Sequence, residues 1–274
     1  MITTNLILLA RDKYHDESIS REGIYMLRFI YPDAREWKYL IASLATLIDE
    51  ANFVATKEGL KLRALDPSRI AMVDLELPAE IFEEYQIDEE EVKIGVNFDE
   101  LNKIIKRGKA DERVVFEVGE KRLKIVILSR AERSFSIPLL DIFGEELPSP
   151  KVTFTVRAKM LSDTLKDALN DVALISDSVK FRGEEDYLSL SARSDRGEFE
   201  AKFSLENGSL IEYEIVEPSS AIYGLSLLSD MVKKATPLSD AALLQFASNK
   251  PLSLTFELPG GGRLTYYLAP RMEE

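Results

Sequence analysis

The sequence predicts an α+β protein of two tandem domains, each with two helices packed on antiparallel sheet. Three observations carry this expectation. Met26–Pro150 and Lys151–Glu274 are nearly equal in length and repeat one order of apolar patterns. Alternating runs of strand type predominate, and four segments, two per half, each carry a single apolar stripe beneath a polar face.

Taken in order, Leu27–Tyr31 reads as the first strand and Arg35–Glu50 as the first helix. Lys61–Leu65 and Met72–Leu77 then alternate as half-buried strands. Phe98, Leu101, Ile104 and Ile105 form the stripe of a second helix, Val96–Lys109, followed by strands Val114–Val118 and Leu123–Leu128. The second half repeats these patterns. At a shift of 128, Leu60–Ala64 falls on Leu188–Ala192 and Leu75 on Phe203; at 127, the helical stripe falls on Leu225, Leu228, Met231 and Val232; at 129, Leu123, Ile125 and Ile127 fall on Leu252, Leu254 and Phe256. The third and fourth helices are expected at Arg157–Asp171 and Tyr223–Lys234. Each half thus contains two units of strand, helix and three strands. Leu140–Pro150, with Gly144, Pro148 and Pro150 among acids, reads as an exposed connector, giving domains at 26–139 and 151–274. Residues 1–25 form an extension, expected to be mobile. Its apolar run Leu6–Ala10 is too short for a signal core and has no basic segment ahead of it.

Composition excludes several chemistries. Without cysteine there is no disulfide, thiolate metal site or thiol nucleophile, and the single histidine, His15, cannot form a ligand pair. Cofactors and metals are not expected, nor is a membrane span. The net charge of −13 argues against nucleic acid until it is divided by location. The four helical segments as delimited above hold 11 basic and 9 acidic residues, leaving −15 for the rest. The basic residues concentrate at Lys103, Lys106, Arg107 and Lys109 and at Lys233 and Lys234. Last-turn cations also complement a helix dipole, so placement alone leaves this open. The acidic run Asp88–Glu91 reads as solvated surface, and Gly260–Gly262 as a hairpin turn.

Specific strings sharpen the reading. Leu65-Asp66-Pro67-Ser68-Arg69-Ile70-Ala71-Met72-Val73 closely resembles the Asp-x-Ser signature of the proliferating cell nuclear antigen family, the archaeal and eukaryotic sliding clamps. Gly95–Phe98, Lys234–Ser239 and Tyr266–Arg271 continue the resemblance in order, and it covers Met26–Glu274. It implies a pseudo-sixfold ring of three subunits, with helices lining a central hole around double-stranded DNA and sheets outside. Contact with DNA would be independent of base sequence. The implied DNA-facing residues are Lys103, Lys106, Arg107, Lys166, Lys233 and Lys234, with Lys38 and Lys159 secondary. The implied subunit joint pairs Arg133–Leu139 with Gly197–Leu205 of a neighbour, through Phe135, Ile137, Phe199, Ala201 and Phe203; Pro138 interrupts the first strand. Client enzymes would insert a motif of Gln, an aliphatic residue and two aromatics among Leu65, Met72, Leu147, Pro237 and Phe256, while Ala269, Pro270 and Arg271 supply backbone. Ser149 departs from the aliphatic residue often found at that connector position.

The expected partners are double-stranded DNA, related clamp subunits as homotrimer or heterotrimer, DNA polymerase, flap endonuclease, DNA ligase and the clamp loader. The expected location is cytoplasmic, at the nucleoid. No catalysis is expected. A carboxylate- and magnesium-dependent hydrolase using Asp66 or Asp88–Glu91 is the alternative of a different class, and its acids are scattered along the chain.

Overall fold

The structure is a computed structural model that describes residues 25–144 and 147–272. The extension up to residue 24, His15 within it, and the connector acids Glu145 and Glu146 lie outside the described residues. The first half contains β1 (Leu27–Tyr31), α1 (Ala34–Leu44), β2 (Glu50–Thr56), β3 (Gly59–Leu65), β4 (Ala71–Pro78), β5 (Glu84–Ile87), β6 (Glu91–Asn97), α2 (Phe98–Ile105), β7 (Arg113–Val118), β8 (Arg122–Leu128) and β9 (Arg133–Pro138). The second repeats the order: β10 (Val156–Leu161), α3 (Ser162–Ala173), β11 (Ser178–Gly183), β12 (Leu188–Ser194), β13 (Gly197–Phe203), β14 (Glu212–Ile215), β15 (Ser219–Gly224), α4 (Leu225–Ala235), β16 (Ala241–Phe246), β17 (Leu252–Glu257) and β18 (Arg263–Leu268).

Among the described residues each half therefore holds nine strands and two α-helices, with one short strand, β5 or β14, more than the patterns suggested. The first half closes a five-stranded sheet, β5-β1-β7-β8-β9, and the second a four-stranded one, β13-β12-β11-β15. The remaining strands merge. Antiparallel pairing of β18 with β4, from Arg263↔Glu76 to Leu268↔Ala71, fuses five strands of the second domain with four of the first into one nine-stranded sheet. The helices lie on the core side: Trp37, Ile41 and Leu44 of α1, Phe98 and Leu101 of α2, Leu165 and Leu169 of α3 and Leu228 and Val232 of α4 join the strand residues in a single core. Helices α1 and α4 pack together across the domain joint. There the fully buried Tyr266 hydroxyl of β18 donates to the Ser43 carbonyl of α1 at 3.1 Å.

All four helices are shorter than their apolar patterns. Val96 and Asn97 belong to β6, Arg157–Leu161 to β10, and Tyr223 and Gly224 to β15, while the first helix stops at Leu44 and Glu50 opens β2. In three of the units a strand runs directly into its helix, so apolar spacing continues across the boundary. Capping marks the true start in two places. The Asp33 carboxylate accepts from the Arg35 N–H, and the Asn97 side chain accepts from the Glu100 N–H. With these bounds the helices hold six basic and seven acidic residues, correcting the mildly positive sum above. Lys106, Arg107 and Lys109 follow α2 in its closing turn and loop.

The repeat also shifts in register. Leu60 pairs with Leu77 and Leu188 with Phe203, so Phe203 is the counterpart of Leu77, not Leu75. The loop between β12 and β13 is shorter than that between β3 and β4.

Candidate functional site

Strand parity divides the long sheet into a core face and an outer face. On the outer face, register places Leu65, Met72, Tyr267 and Ser253 in one row across β3, β4, β18 and β17. The next row is Arg63, Asp74, Thr265 and Thr255, with Arg63 bonded to Asp74 at 2.7 Å and the two threonine hydroxyls 3.0 Å apart. Then comes Lys61, Glu76, Arg263 and Glu257. Hydrogen bonding from Arg263 holds the Glu76 carboxyl below its ordinary pKa. An apolar end row is thus fenced by polar rows. Leu65 is 37% exposed and Tyr267 half-buried, while Met72 lies beneath them. Burial, and then the charge of Asp74, push the Tyr267 phenol above its usual pKa, so it presents a neutral hydroxyl.

The connector is laid over this face by three backbone anchors. The Leu140 N–H donates to the Gly95 carbonyl at 2.9 Å, Asn52 Nδ2 to the Ile142 carbonyl at 3.0 Å, and Arg63 Nη1 to the Leu147 carbonyl at 3.0 Å. Gly95 is required here. A Cβ at this position would stand 2.1 Å from the Leu140 carbonyl oxygen. Between connector and sheet lies a groove of about 370 Å³ whose walls include Val54, Ala64, Leu65, Phe143 and Leu147.

The Asp-x-Ser motif shapes the adjoining loop. Asp66 accepts from the N–H of Ala71 at 2.6 Å and of Ser68 at 3.0 Å, and from the Ser68 hydroxyl. Burial would raise this carboxyl's pKa, but those donors, with the Ile70 N–H, overcome it and hold the group ionised below the usual range. Arg69 turns the chain at φ 59° and leaves Ile70 50% exposed. The Ile70 carbonyl receives the Ala269 N–H at 2.8 Å, tying loop to terminus. The Arg271 N–H is likewise taken by the Ile222 carbonyl at 2.7 Å, and its guanidinium meets Asp177 at 3.2 Å. Proline has no N–H, so a peptide pairing with Ala269–Arg271 would draw on carbonyl oxygens.

Leu65 shares the groove with Leu147 and its row with Met72, and Ala269 is tied to the Ile70 carbonyl at the same end of the sheet, but Phe256 and Pro237 lie elsewhere. Phe256 is fully buried on the core face with Tyr266, because its parity is opposite to that of Ser253. Pro237 precedes Leu238, which packs near Leu77 and Leu258 at the far end of β4 from Met72. At that end of the sheet stand instead Tyr267, opposite Met72, the exposed Ile70, and Pro251, which sits immediately ahead of Leu252. Alternation along Arg263–Leu268 was sufficient to separate outward Tyr267 from inward Tyr266.

Of the cations assigned to DNA, Lys103, Lys106, Arg107, Lys233 and Lys234 are exposed and make no ion pair among the described residues. Lys166 pairs with Asp163 on its own helix. The secondary candidates are more engaged: Lys38 lies over the Tyr39 ring, and Lys159, on β10, pairs with Glu257 at 3.3 Å and Glu212 at 3.7 Å. The assigned joint strands β9 and β13 are both sheet edges. Phe135, Ile137, Phe199, Ala201 and Phe203 point to the core side along them, Phe203 buried and the others half-buried. Asp66 has its oxygens engaged by its own loop. No group of three or more acidic or histidine side chains among the described residues converges as a metal site, and no described helix is long and apolar enough to cross a membrane.

Duplicated domains sharing one sheet, with edge strands β9 and β13 in the two outer sheets and a groove under a pinned connector, define a class of protein, a tandem-domain scaffold. The chain belongs to the proliferating cell nuclear antigen family. Residues 26–141 match the model of that family's N-terminal domain and residues 149–271 that of its C-terminal domain. It is 57% identical over 248 residues to the DNA polymerase sliding clamp of Thermofilum pendens, covering 90% of this chain and 100% of the relative. It is 42% identical to DNA polymerase sliding clamp 1 of Pyrobaculum aerophilum, over 89% of this chain and 97% of that one. Among solved structures, proliferating cell nuclear antigen of Thermococcus kodakaraensis superposes with a TM-score of 0.85 at 29% identity, over 89% of this chain and 100% of that chain. A chain of the PCNA2–PCNA3 complex of Sulfolobus tokodaii gives 0.83 at 33%, over 90% and 100%.

Proposed function

We propose that this chain is a DNA polymerase sliding clamp in which three copies join edge to edge around duplex DNA. One observation carries the reading: the open edges β9 and β13 correspond by the internal repeat to β18 and β4, which already form the joint within the chain. Joining them would complete a second nine-stranded sheet. Copying the internal register sets Phe135 opposite Phe199, Arg133 opposite Ala201 and Ile137 opposite Gly197 of the neighbour. Pro138 then occupies the place of Ala269 and lacks the N–H that Ala269 gives Ile70, so pairing ends one bond short. Two different edges meeting head to tail close into a ring when the rotation allows.

Function follows without a chemical step. A closed ring stays on DNA by topology, so its phosphate contacts, drawn from Lys103, Lys106, Arg107, Lys166, Lys233 and Lys234, can be weak and sequence-independent, which permits sliding. Polymerase, flap endonuclease, ligase and clamp loader would dock through the outer groove, at the nucleoid in the cytoplasm. The test has two parts: the mass of the purified chain at micromolar concentration, and stimulation of a polymerase on circular primed DNA after loading. A trimer and loader-dependent stimulation are expected. A lone monomer sinks the homotrimer, and turnover of nucleotide with magnesium, abolished by Asp66→Asn, sinks the non-enzymatic reading.

A further inference from the structure

The segment after β18 is stretched between the two domains. Its Ala269 N–H is held by the Ile70 carbonyl of the first domain and its Arg271 N–H by the Ile222 carbonyl of β15 in the second. Pro270 stands between them without an N–H, and Met272 beyond is 91% exposed. A client peptide would pair with the carbonyl oxygens of this segment, so whatever fixes its Arg271 end sets where those oxygens point. The internal repeat shows what is particular to that end. In the first domain the matching bond runs from the Leu140 N–H to the Gly95 carbonyl, since Gly95 pairs with Asn52 as Ile222 does with Lys180. There the connector is held further along by the side chains of Asn52 and Arg63.

The terminal segment is held by a side chain of its own. The Arg271 guanidinium pairs with Asp177 at 3.2 Å and lies against Gly224, where an added Cβ would stand 3.3 Å from its Nε. Asp177 is the counterpart of Asp49: their carbonyls take the first N–H of α4 and of α2, from Leu225 and Phe98, each at 2.8 Å. Gly224 is the counterpart of Asn97. Asn97 caps α2 with its side chain, whereas α4 starts at Gly224 without a side-chain cap, and the guanidinium fills the space left open. That place does not suit a cation. The N-terminal end of a helix carries partial positive charge, and the first turn of α4 contains no acid, while that of α2 contains Asp99 and Glu100. Asp177 supplies the charge that keeps Arg271 there.

We propose that Asp177 is a positioning residue for client binding: through Arg271, seated on the bare backbone of Gly224, it fixes the Ala269–Arg271 segment without touching the client itself. This rests on the reading of the outer groove as the client site given above. Arg271 then serves to hold the segment, not to reach the peptide. The Ala269 end is fixed by the backbone bond to Ile70, so releasing Arg271 frees one end only and weakens binding while the fold stays as it is. The side chains of Arg271 and Asp177 are 49% and 82% exposed, so salt screens their pairing and the advantage it gives to binding.

The test combines fluorescence anisotropy, using a labelled peptide that carries Gln, an aliphatic residue and two aromatics, with hydrogen exchange of the Arg271 amide, and circular dichroism confirms that each variant is folded. At low salt Asp177→Ala should raise Kd about threefold, Asp177→Lys about tenfold, and Asp177→Glu should stay within about 1.5-fold of wild type. The Arg271 amide should exchange faster in the first two variants and the Ala269 amide should not. Arg271→Ala should cost as much as Asp177→Ala, and the two together no more than either alone. At about 1 M salt the gap between wild type and Asp177→Ala should close. If Arg271→Ala weakens binding while Asp177→Ala leaves it unchanged or improves it, Arg271 contacts the client directly and the positioning role is overturned. Additive losses, or an Arg271 amide that exchanges at the wild-type rate in Asp177→Lys, overturn it as well. A wild type that binds no peptide overturns the client-site reading, and the exchange rates then decide the tie between Asp177 and Arg271 by themselves.

Discussion

Truncating two exposed apolar side chains on the sheet side of the candidate client site, Ile70 and Leu65, should weaken peptide binding while leaving the fold intact. Ile70 is 50% exposed and Leu65 37% exposed. Complete burial of such a side chain contributes about 1.5–3 kcal/mol, so the open fraction leaves about 1 kcal/mol at each position for a ligand to capture. Together Ile70→Ala and Leu65→Ala should cost about 2 kcal/mol, or about thirtyfold in Kd. The assay is fluorescence anisotropy with a labelled peptide carrying Gln, an aliphatic residue and two aromatics. Pro237→Ala is the control, because Pro237 lies at the far end of the strand from Met72 and should change nothing. A double variant within about twofold of wild type, or a Pro237→Ala effect of the same size, would refute the placement of the site.

Tyr266→Phe should lower stability by about 1 kcal/mol by removing the hydrogen bond that links the domains; an unchanged denaturation midpoint would deny that bond a role. Gly95→Ala places a Cβ where the Leu140 carbonyl sits, so the connector should lift and be cut faster by protease, with circular dichroism unchanged. Asp66→Ala should destabilise the chain by about 1–3 kcal/mol near neutral pH. The folded pKa of Asp66 is depressed, so its contribution is complete above the unfolded value of 3.8 and lost as pH falls through the folded value. Denaturation of wild type and variant should therefore converge in strong acid, and a gap that persists there would assign the loss to packing.

The duplication, the four helices and the connector were legible because each leaves a period that spans several residues. Boundaries were not. Where β6 ends in Asn97 and α2 begins at Phe98, no turn residue intervenes, and the shift from period 2 to period 3.6 is resolved only by the Asn97 cap. The short strands β5 and β14 are four residues each and carry Glu, Tyr and Ile in both, too little to register as alternation. At the candidate site, Leu65 and Met72 lie on the outer face and Leu147 in its groove, where the motifs around them led one to look, whereas Phe256 lies on the core face and Tyr267 takes the outward phase. Phe256 shares its phase with Leu252 and Leu254, both in the core, and that phase was already visible in the repeat. Pro237 and Pro251 differ for another reason. Only the pairing of Leu252 with Leu268 reveals which proline comes near the terminus.

The unbroken sheet through β18 and β4 also bears on how many encounters a ring requires. Six similar domains assembling independently would need six joints formed in solution. Here half of them are made during folding, because the connector holds the second domain beside the first at an effective concentration of about millimolar or above. Three joints between chains remain, two made by bimolecular encounter and the third by closure within the assembled trimer. A ring built this way has three joints that can part without unfolding any domain and three that are part of the fold and open only with it.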